Sequence, residues 1–237
     1  MLIWWHYLIL FAVALGVTLA AVPVVRSVAI RYGVVDQPGA RRVNKEPIPR
    51  MGGVAMYAGL LAAFAVEYIL ELAHVWPGPF SLAQGSGVNM LGVMIGITLI
   101  VIVGVIDDVQ SLRPGVKFLG QIIAAIVIAS SGVLMSGFKI PLGDGRVVLG
   151  WLSYPVTVIY LVAFANIINL IDGLDGLAAG ITGIGACGLF ILTVTLVRND
   201  ASLVAIVLIA VCIAFLFYNF HPASIFMGDS GSLLLGT

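Results

Sequence analysis

The amino-acid sequence predicts an all-α polytopic membrane protein. Three observations support this prediction: 61% of the 237 residues are hydrophobic, only 9% are charged, and the mean hydropathy is +1.16. A soluble domain carries about 25% charged residues, so this chain has too few to cover a water-facing surface. Lys and Arg together number eleven, as do Asp and Glu. Without a basic surplus we expect no nucleic-acid binding.

Seven apolar runs follow one another along the chain, each close to the roughly 20 residues that a membrane-spanning helix needs. They lie at 2–24, 51–74, 88–106, 116–136, 151–171, 175–197 and 202–219. The first run lacks a positively charged start and is longer than the apolar core of a signal peptide, so we predict an uncleaved span. An eighth helix is predicted to start near Ser232, just before the chain stops. We therefore expect residues 1–237 to form a single transmembrane domain, truncated at its C-terminus.

The loop after the fourth run differs from the others. Residues 137–150 alternate polar and apolar side chains around Gly143-Asp144-Gly145, which predicts a small β-hairpin. Lys and Arg are unevenly distributed among the loops. The first and third loops hold eight basic residues, whereas the fourth and sixth hold three. By the positive-inside rule the odd-numbered loops are cytoplasmic, so the N-terminus and the hairpin lie on the outer face.

Most of the aspartates lie on the predicted cytoplasmic side. They are Asp36, Asp107, Asp108, Asp172, Asp175 and Asp229. Carboxylates at the ends of spans are costly near lipid and mark candidate functional sites. This face is therefore where a site is expected.

The pair Asp107-Asp108 directly follows an apolar span, and Lys117 comes nine residues after Asp108. Adjacent carboxylates raise one another's pKa unless a cation lies between them. One interpretation is a solvated end to the helix. The other is a metal–phosphate site or general base, with Lys117 offering a point charge to phosphate.

The stretch from Asn166 to Ala178 holds a polar residue at every third position: Asn166, Asn169, Asp172 and Asp175. On an unbroken helix these would fan over half the circumference. Gly173 and Gly176 instead predict a break in the helix, which would let the two aspartates converge on a ligand. Hydrogen bonding between helices is the alternative, but it does not readily explain two aspartates.

Two further loops complete the candidate site. The loop from Asn219 to Ser232 contains Phe226 and places Asp229 beside glycines, where backbone can approach a phosphate or metal closely; a plain turn is the alternative. The sequence Gly228-Asp229-Ser230-Gly231 resembles a serine-protease nucleophile loop, but it lacks the base and acid of a triad. The first loop holds Arg41, Arg42 and Arg50 among prolines and glycines. That composition predicts an ordered loop as well as a topology signal.

Four segments together resemble the polyprenyl-phosphate N-acetylhexosamine-1-phosphate transferases. They are Asp36…Arg41-Arg42…Pro47-x-Pro49-Arg50-x-Gly52-Gly53, Asp107-Asp108, Asn169-Leu-Ile-Asp172-Gly-Leu-Asp175-Gly-Leu-Ala178, and Pro222-Ala-x-Ile-Phe226-Met-Gly-Asp229-x-Gly-Ser232. The contexts of Asn169 and Lys117 are more similar to the branch that uses UDP-N-acetylglucosamine. The family's histidine-rich loop and its further helices are expected beyond Thr237.

This resemblance implies a Mg²⁺- or Mn²⁺-dependent enzyme of the bacterial plasma membrane whose active site faces the cytoplasm. It would transfer N-acetylglucosamine-1-phosphate from UDP-N-acetylglucosamine to a polyprenyl phosphate and release UMP; a homodimer is compatible with it. Asp107 and Asp108 are the implied catalytic residues, and Asp229 and Asp172 the metal ligands. The implied substrate-binding residues are Asn166, Asn169, Asp175, Lys117, Asn219, Phe226, Arg41, Arg42 and Arg50.

Three alternatives stay open from sequence. A phospho-N-acetylmuramoyl-pentapeptide transferase would use a different donor with the same site. A secondary transporter would use membrane carboxylates, although such sites lie near the bilayer midplane and these carboxylates lie at span ends. A truncated chain could also bind ligand without turnover.

Overall fold

A computed structural model describes residues 4–37, 47–76, 87–140 and 145–237. Its helices are α1 (Trp4–Arg31), α2 (Gly52–Leu72), α3 (Met90–Gln110), α4 (Pro114–Ser130), α5 (Ser153–Ile171), α6 (Leu177–Thr195), α7 (Asn199–Asn219) and α8 (Gly228–Gly236). The strands form two antiparallel pairs, β1 (Val35–Asp36) with β2 (Ile48–Pro49), and β3 (Gly137–Lys139) with β4 (Arg146–Val148). A single 3₁₀ turn (Gly150–Leu152) precedes α5.

The predicted all-α membrane architecture is confirmed. Six helices are long and apolar enough to cross a membrane, and α4, with 17 residues, is a shorter apolar helix. It begins with Pro114 in its first turn, where the missing N–H of proline has no helical partner to lose. It ends at Ser130, and residues 131–136 are not helical. The predicted hairpin is present as β3 and β4, whereas the β1–β2 pair was not predicted.

The predicted break after the fifth span is also confirmed. Helix α5 ends at Ile171 and α6 begins at Leu177. Gly176 lies between them with φ +73°, the left-handed region that favours glycine. The polar residues before and after the break therefore do not follow one helical period.

The short helix α8 is wedged among α2, α3 and α5. Its residues 230–235 are buried, and close backbone approach makes this possible. A Cβ on Gly53 would overlap the backbone of Gly231, and one on Gly104 would lie 2.5 Å from the Cα of Ser230. Glycine at these crossings brings the first turn of α8 against the ends of α2 and α3. We call this end of the helix bundle the carboxylate end.

Candidate active site

Lys117 connects two carboxylates from different helices at the carboxylate end. Its Nζ lies 2.9 Å from Oδ2 of Asp107, at the end of α3, and forms a second ion pair with Oδ2 of Asp229, at the start of α8. The other oxygen of Asp229 accepts a hydrogen bond of 2.6 Å from Nδ2 of Asn169, which also donates to Ser232 at 2.8 Å. Residues far apart in sequence thus form one polar network.

Asp108 is directed into the first turn of α8. Its two oxygens accept backbone N–H bonds from Asp229, at 2.8 Å, and Ser230, at 3.1 Å. These N–H groups belong to the first helical turn and have no partner within the helix, and the helix dipole favours an anion there. A Cβ on Gly228 would lie 2.6 Å from both carboxylate oxygens. Asp108 therefore fixes the position of Asp229.

Asp172 follows the last residue of α5 and lies close to two other acids. Its partly buried carboxyl has a pKa raised to about 8, because burial penalises the charged form and because Asp229 and Asp108 repel it. Burial also raises the pKa of Asp229. Lys117 alone therefore does not keep all of these carboxyl groups in the charged form.

Asp175 contacts the loop between α7 and α8. Its Oδ2 lies 2.8 Å from Nδ1 of His221 and accepts the backbone N–H of Ala223 at 3.1 Å. Nearby, the buried Asn219 accepts the N–H of Gly176 and donates to the carbonyl of Ile225, both at 3.0 Å. These contacts join the α5–α6 loop to the α7–α8 loop, and His221 was not predicted as a site residue.

An open cavity of about 340 Å³ lies beside Lys117. Its lining residues are Asp107, Leu112, Pro114, Lys117, Phe118, Gln121 and Asn166. Nδ2 of Asn166 donates to Oε1 of the buried Gln121 at 2.6 Å. Sequence reasoning missed Gln121, although a lone glutamine in an apolar helix is a signal that could have found it. The cavity combines a charged end with apolar walls.

The first loop and the start of α2 contact the segment that leads to Asp229. Arg50 Nη2 pairs with Asp36 Oδ1 at 2.6 Å, across the β1–β2 pair. Phe226 donates its N–H to the carbonyl of Pro49 at 2.8 Å and accepts the N–H of Gly52 at 3.0 Å. The loop that leads to Asp229 is therefore held by the backbone of 49–53. Arg41 and Arg42 lie outside the described residues.

The donor chemistry at Asp172 and Asp229 fits a hard divalent cation. Among the described residues there is no group of three or more His, Cys, Asp or Glu placed to hold a metal ion. Mg²⁺, however, is commonly held by one or two carboxylates, with substrate phosphates and waters completing its shell. Two carboxyl groups that lack sufficient positive charge around them match that mode of binding.

The sequence is similar to a known protein family and to named bacterial proteins. A family model described as Glycosyl transferase family 4 matches residues 90–237. The chain is 40% identical over 226 residues to the probable undecaprenyl-phosphate N-acetylglucosaminyl 1-phosphate transferase of Bacillus subtilis (strain 168), covering 95% of this chain and 59% of that relative.

Two more relatives cover nearly all of this chain. A decaprenyl-phosphate N-acetylglucosaminephosphotransferase of Mycolicibacterium smegmatis is 40% identical over 90% of the chain and 53% of its own length. A phospho-N-acetylmuramoyl-pentapeptide-transferase of Desulforudis audaxviator is 34% identical over 97% of the chain and 73% of its own length. The chain thus spans little more than half the length of the first two relatives.

Proposed function

The chain belongs to glycosyl transferase family 4, and on this premise we propose that the complete protein transfers N-acetylglucosamine-1-phosphate from UDP-N-acetylglucosamine to a polyprenyl phosphate, releasing UMP. One observation carries the proposal: Lys117 lies between Asp107 and Asp229 at the charged end of a cavity with apolar walls. A reaction between a lipid phosphate and a nucleotide diphosphate needs such a junction of apolar and charged surface.

The choice of donor rests on the relatives. Those named for N-acetylglucosamine are 40% identical to this chain, whereas the pentapeptide transferase is 34% identical. The latter nevertheless matches over 73% of its own length, so transfer of phospho-N-acetylmuramoyl-pentapeptide is the second candidate. The transporter alternative is disfavoured because the carboxylates lie at helix ends rather than in broken helices at the midplane.

The cavity beside Lys117 suits the acceptor. The phosphate of the lipid would lie at Lys117. The Lys117 ammonium would break its ion pair with either Asp107 or Asp229 and pair with the incoming phosphate instead. The first apolar units of the lipid would contact Leu112 and Phe118. Gln121 holds Asn166 at the wall of this cavity, so we assign Asn166 to the acceptor side of the site.

Phosphoryl transfer requires alignment of the attacking and leaving oxygens and neutralisation of charge. Asp229 and Asp172 would hold Mg²⁺ or Mn²⁺, which when bound neutralises charge on the donor diphosphate. Asp107 is placed to take a proton from the acceptor phosphate once Lys117 turns to that phosphate. Asp108 contributes by fixing Asp229 through the backbone of α8.

We propose that the protein lies in the bacterial plasma membrane with the carboxylate end in the cytoplasm, where nucleotide sugars are made. The basic residues support this orientation, because eight of the eleven lie between positions 26 and 117, in or next to the predicted first and third loops. The Asp36–Arg50 pair at the same end supports an ordered first loop that contributes to donor binding.

The proposal is tested by offering both donors to the full-length protein in membranes with polyprenyl phosphate and Mg²⁺. We expect labelled lipid product and UMP from UDP-N-acetylglucosamine, and loss of both on chelation. Product from UDP-N-acetylmuramoyl-pentapeptide alone would make the second candidate correct. Product from neither donor, in membranes where a known family member is active, would contradict a transferase.

A further inference from the structure

The β3–β4 hairpin lies at the end of the bundle opposite the carboxylates, between the end of α4 and the start of α5. Its base is fixed to α5, because Met135 donates its backbone N–H to Oγ1 of Thr157 at 2.8 Å. Thr157 belongs to the second turn of α5. The hairpin therefore lies at the level where α5 enters the membrane.

The register gives the hairpin an apolar face. Phe138 pairs with Val147, and residues directly opposite one another share a face; Ile140, two residues after Phe138, lies on the same face. All three side chains are exposed, Phe138 by 56%. Among the described residues the two strands make no extensive contact with another element. A two-stranded hairpin is marginally stable in water on its own, so this apolar face needs a partner.

The other face is mixed. Lys139 is exposed, and Val148, which the register places on the same face, is 73% exposed. The register also places the basic residue Arg146 opposite Lys139, and like charges directly opposite one another destabilise a strand pair. A partner that offers apolar surface together with anionic groups would therefore stabilise the hairpin.

The adjoining part of α5 indicates which partner this is. Trp151 is 78% exposed and Tyr154 is 52% exposed, directly after the hairpin. Exposed Trp and Tyr at the end of a spanning helix are typical of the membrane–water interface. A segment at that level that exposes apolar side chains together with basic residues matches the lipid headgroup region.

We propose that the β3–β4 hairpin lies in the interface of the leaflet opposite the active site. Phe138, Ile140 and Val147 enter the acyl boundary, and Lys139 binds anionic phosphate headgroups. The hairpin then acts as an interfacial anchor for the ends of α4 and α5. This inference does not depend on the proposed transferase activity.

The test uses the full-length protein in lipid nanodiscs, with Cys187 and Cys212 replaced by alanine and one new cysteine bearing an environment-sensitive fluorophore. Phe138→Cys and Lys139→Cys are a matched pair, because they are neighbours on opposite faces. We expect blue-shifted emission at position 138, quenched several-fold more by lipids with a headgroup-proximal nitroxide than the emission at position 139. Water-like emission at both positions would overturn the proposal. So would blue-shifted emission at 138 that lipid nitroxides leave unchanged, because that indicates a protein partner.

A second measurement tests headgroup binding without a label. The thermal midpoint of the wild type should be higher in nanodiscs with anionic lipid than in zwitterionic ones. The double variant Lys139→Gln, Arg146→Gln should reduce that difference. Because the double variant leaves Lys117 and the rest of the carboxylate end unchanged, its activity serves as a check on folding. An unchanged lipid dependence in the double variant would contradict headgroup binding. The fluorescence pair decides the insertion independently of that outcome.

Discussion

At the scale of single residues, Asp229 is the side chain on which the proposed chemistry depends most. Its oxygens are held by Lys117 and Asn169, and its position is fixed through Asp108. Asp229→Asn keeps the size of the side chain but removes the charge that a divalent ion requires. We expect it to abolish turnover and Mg²⁺-dependent binding of UDP-N-acetylglucosamine together, as measured by calorimetric titration. Asp200→Asn, at the opposite end, is the control. Wild-type Mg²⁺ dependence in Asp229→Asn would place the metal ligand elsewhere.

Asp107 and Asp108 are adjacent in sequence, but their contacts differ, and we expect their roles to differ as well. Asp107→Asn should spare donor binding and lower turnover on the order of 10²–10⁴-fold, the usual weight of a general base. Both oxygens of Asp108 accept backbone N–H bonds from α8. The Asp108→Asn side chain has a single oxygen, so one of these two hydrogen bonds is lost. The substitution should therefore lower stability by about 1 kcal/mol, a typical cost of losing a helix cap, as well as activity. Equal stability of the two variants in thermal unfolding would count against this division.

Asp172 predicts a pH dependence of stability. Its pKa is about 8 in the folded protein against 3.8 for a free side chain, so the folded state holds a proton that the unfolded state releases. The stability from this proton is fully present below about pH 4 and is lost as pH rises through about 8. In chelator, the thermal midpoint should fall from about pH 5 to about pH 9, and Asp172→Asn should lessen this fall. An identical decline in the variant would show that another group is responsible.

At the scale of secondary-structure elements, the close packing of α8 against α2 predicts the effect of a substitution at Gly53. A Cβ on Gly53 would overlap Gly231, where backbone meets backbone and neither can yield. Gly53→Ala should therefore destabilise the protein by about 1–3 kcal/mol, as overpacking does, and reduce activity by displacing Asp229. Gly16→Ala in α1 is the matched control, because its Cβ would meet nothing within 4 Å. We expect it to be neutral or stabilising by about 0.5–1 kcal/mol. Thermal unfolding in membranes measures both.

The elements themselves were largely predictable, because hydrophobic run length determines where a span lies. The break at Gly176 was predictable too, since glycine and polar spacing are local signals. The contacts within the site were not. Lys117 and Asp229 are 112 residues apart, and Asp108 and the N–H of Asp229 are 121 apart. No local pattern shows that one aspartate of the pair caps a helix while the other pairs with a lysine.

The pairing of Asp175 with His221 also could not be predicted from local sequence. The three-residue spacing suggested that Asp172 and Asp175 act at one point, whereas the turn between them directs Asp175 towards the α7–α8 loop. The spacing located the right segment but not the partners. Periodicity describes a helix, and these residues lie where the helix has ended.

At the scale of the whole molecule, the alternation of helices brings the polar groups together. Helices α3 and α5 end, and α4 and α8 begin, at the carboxylate end, so Asp107, Lys117, Asn169 and Asp229 meet without any of them lying in the middle of a span. The loop charges predict this common face. Under the proposed function, a lipid acceptor would reach the site from the bilayer while a nucleotide sugar would arrive from water.

This arrangement predicts the orientation in the membrane. Most of the basic residues belong to the predicted first and third loops, so the carboxylate end should face the cytoplasm. Single cysteines at Leu174 and Ser136, in a background without Cys187 and Cys212, report on the two ends, and both positions are exposed. A membrane-impermeant maleimide applied to intact cells should label position 136 and spare position 174, and permeabilised cells should be labelled at both. Labelling of position 174 in intact cells would invert the topology, and UDP-N-acetylglucosamine made in the cytoplasm could then no longer reach Asp229.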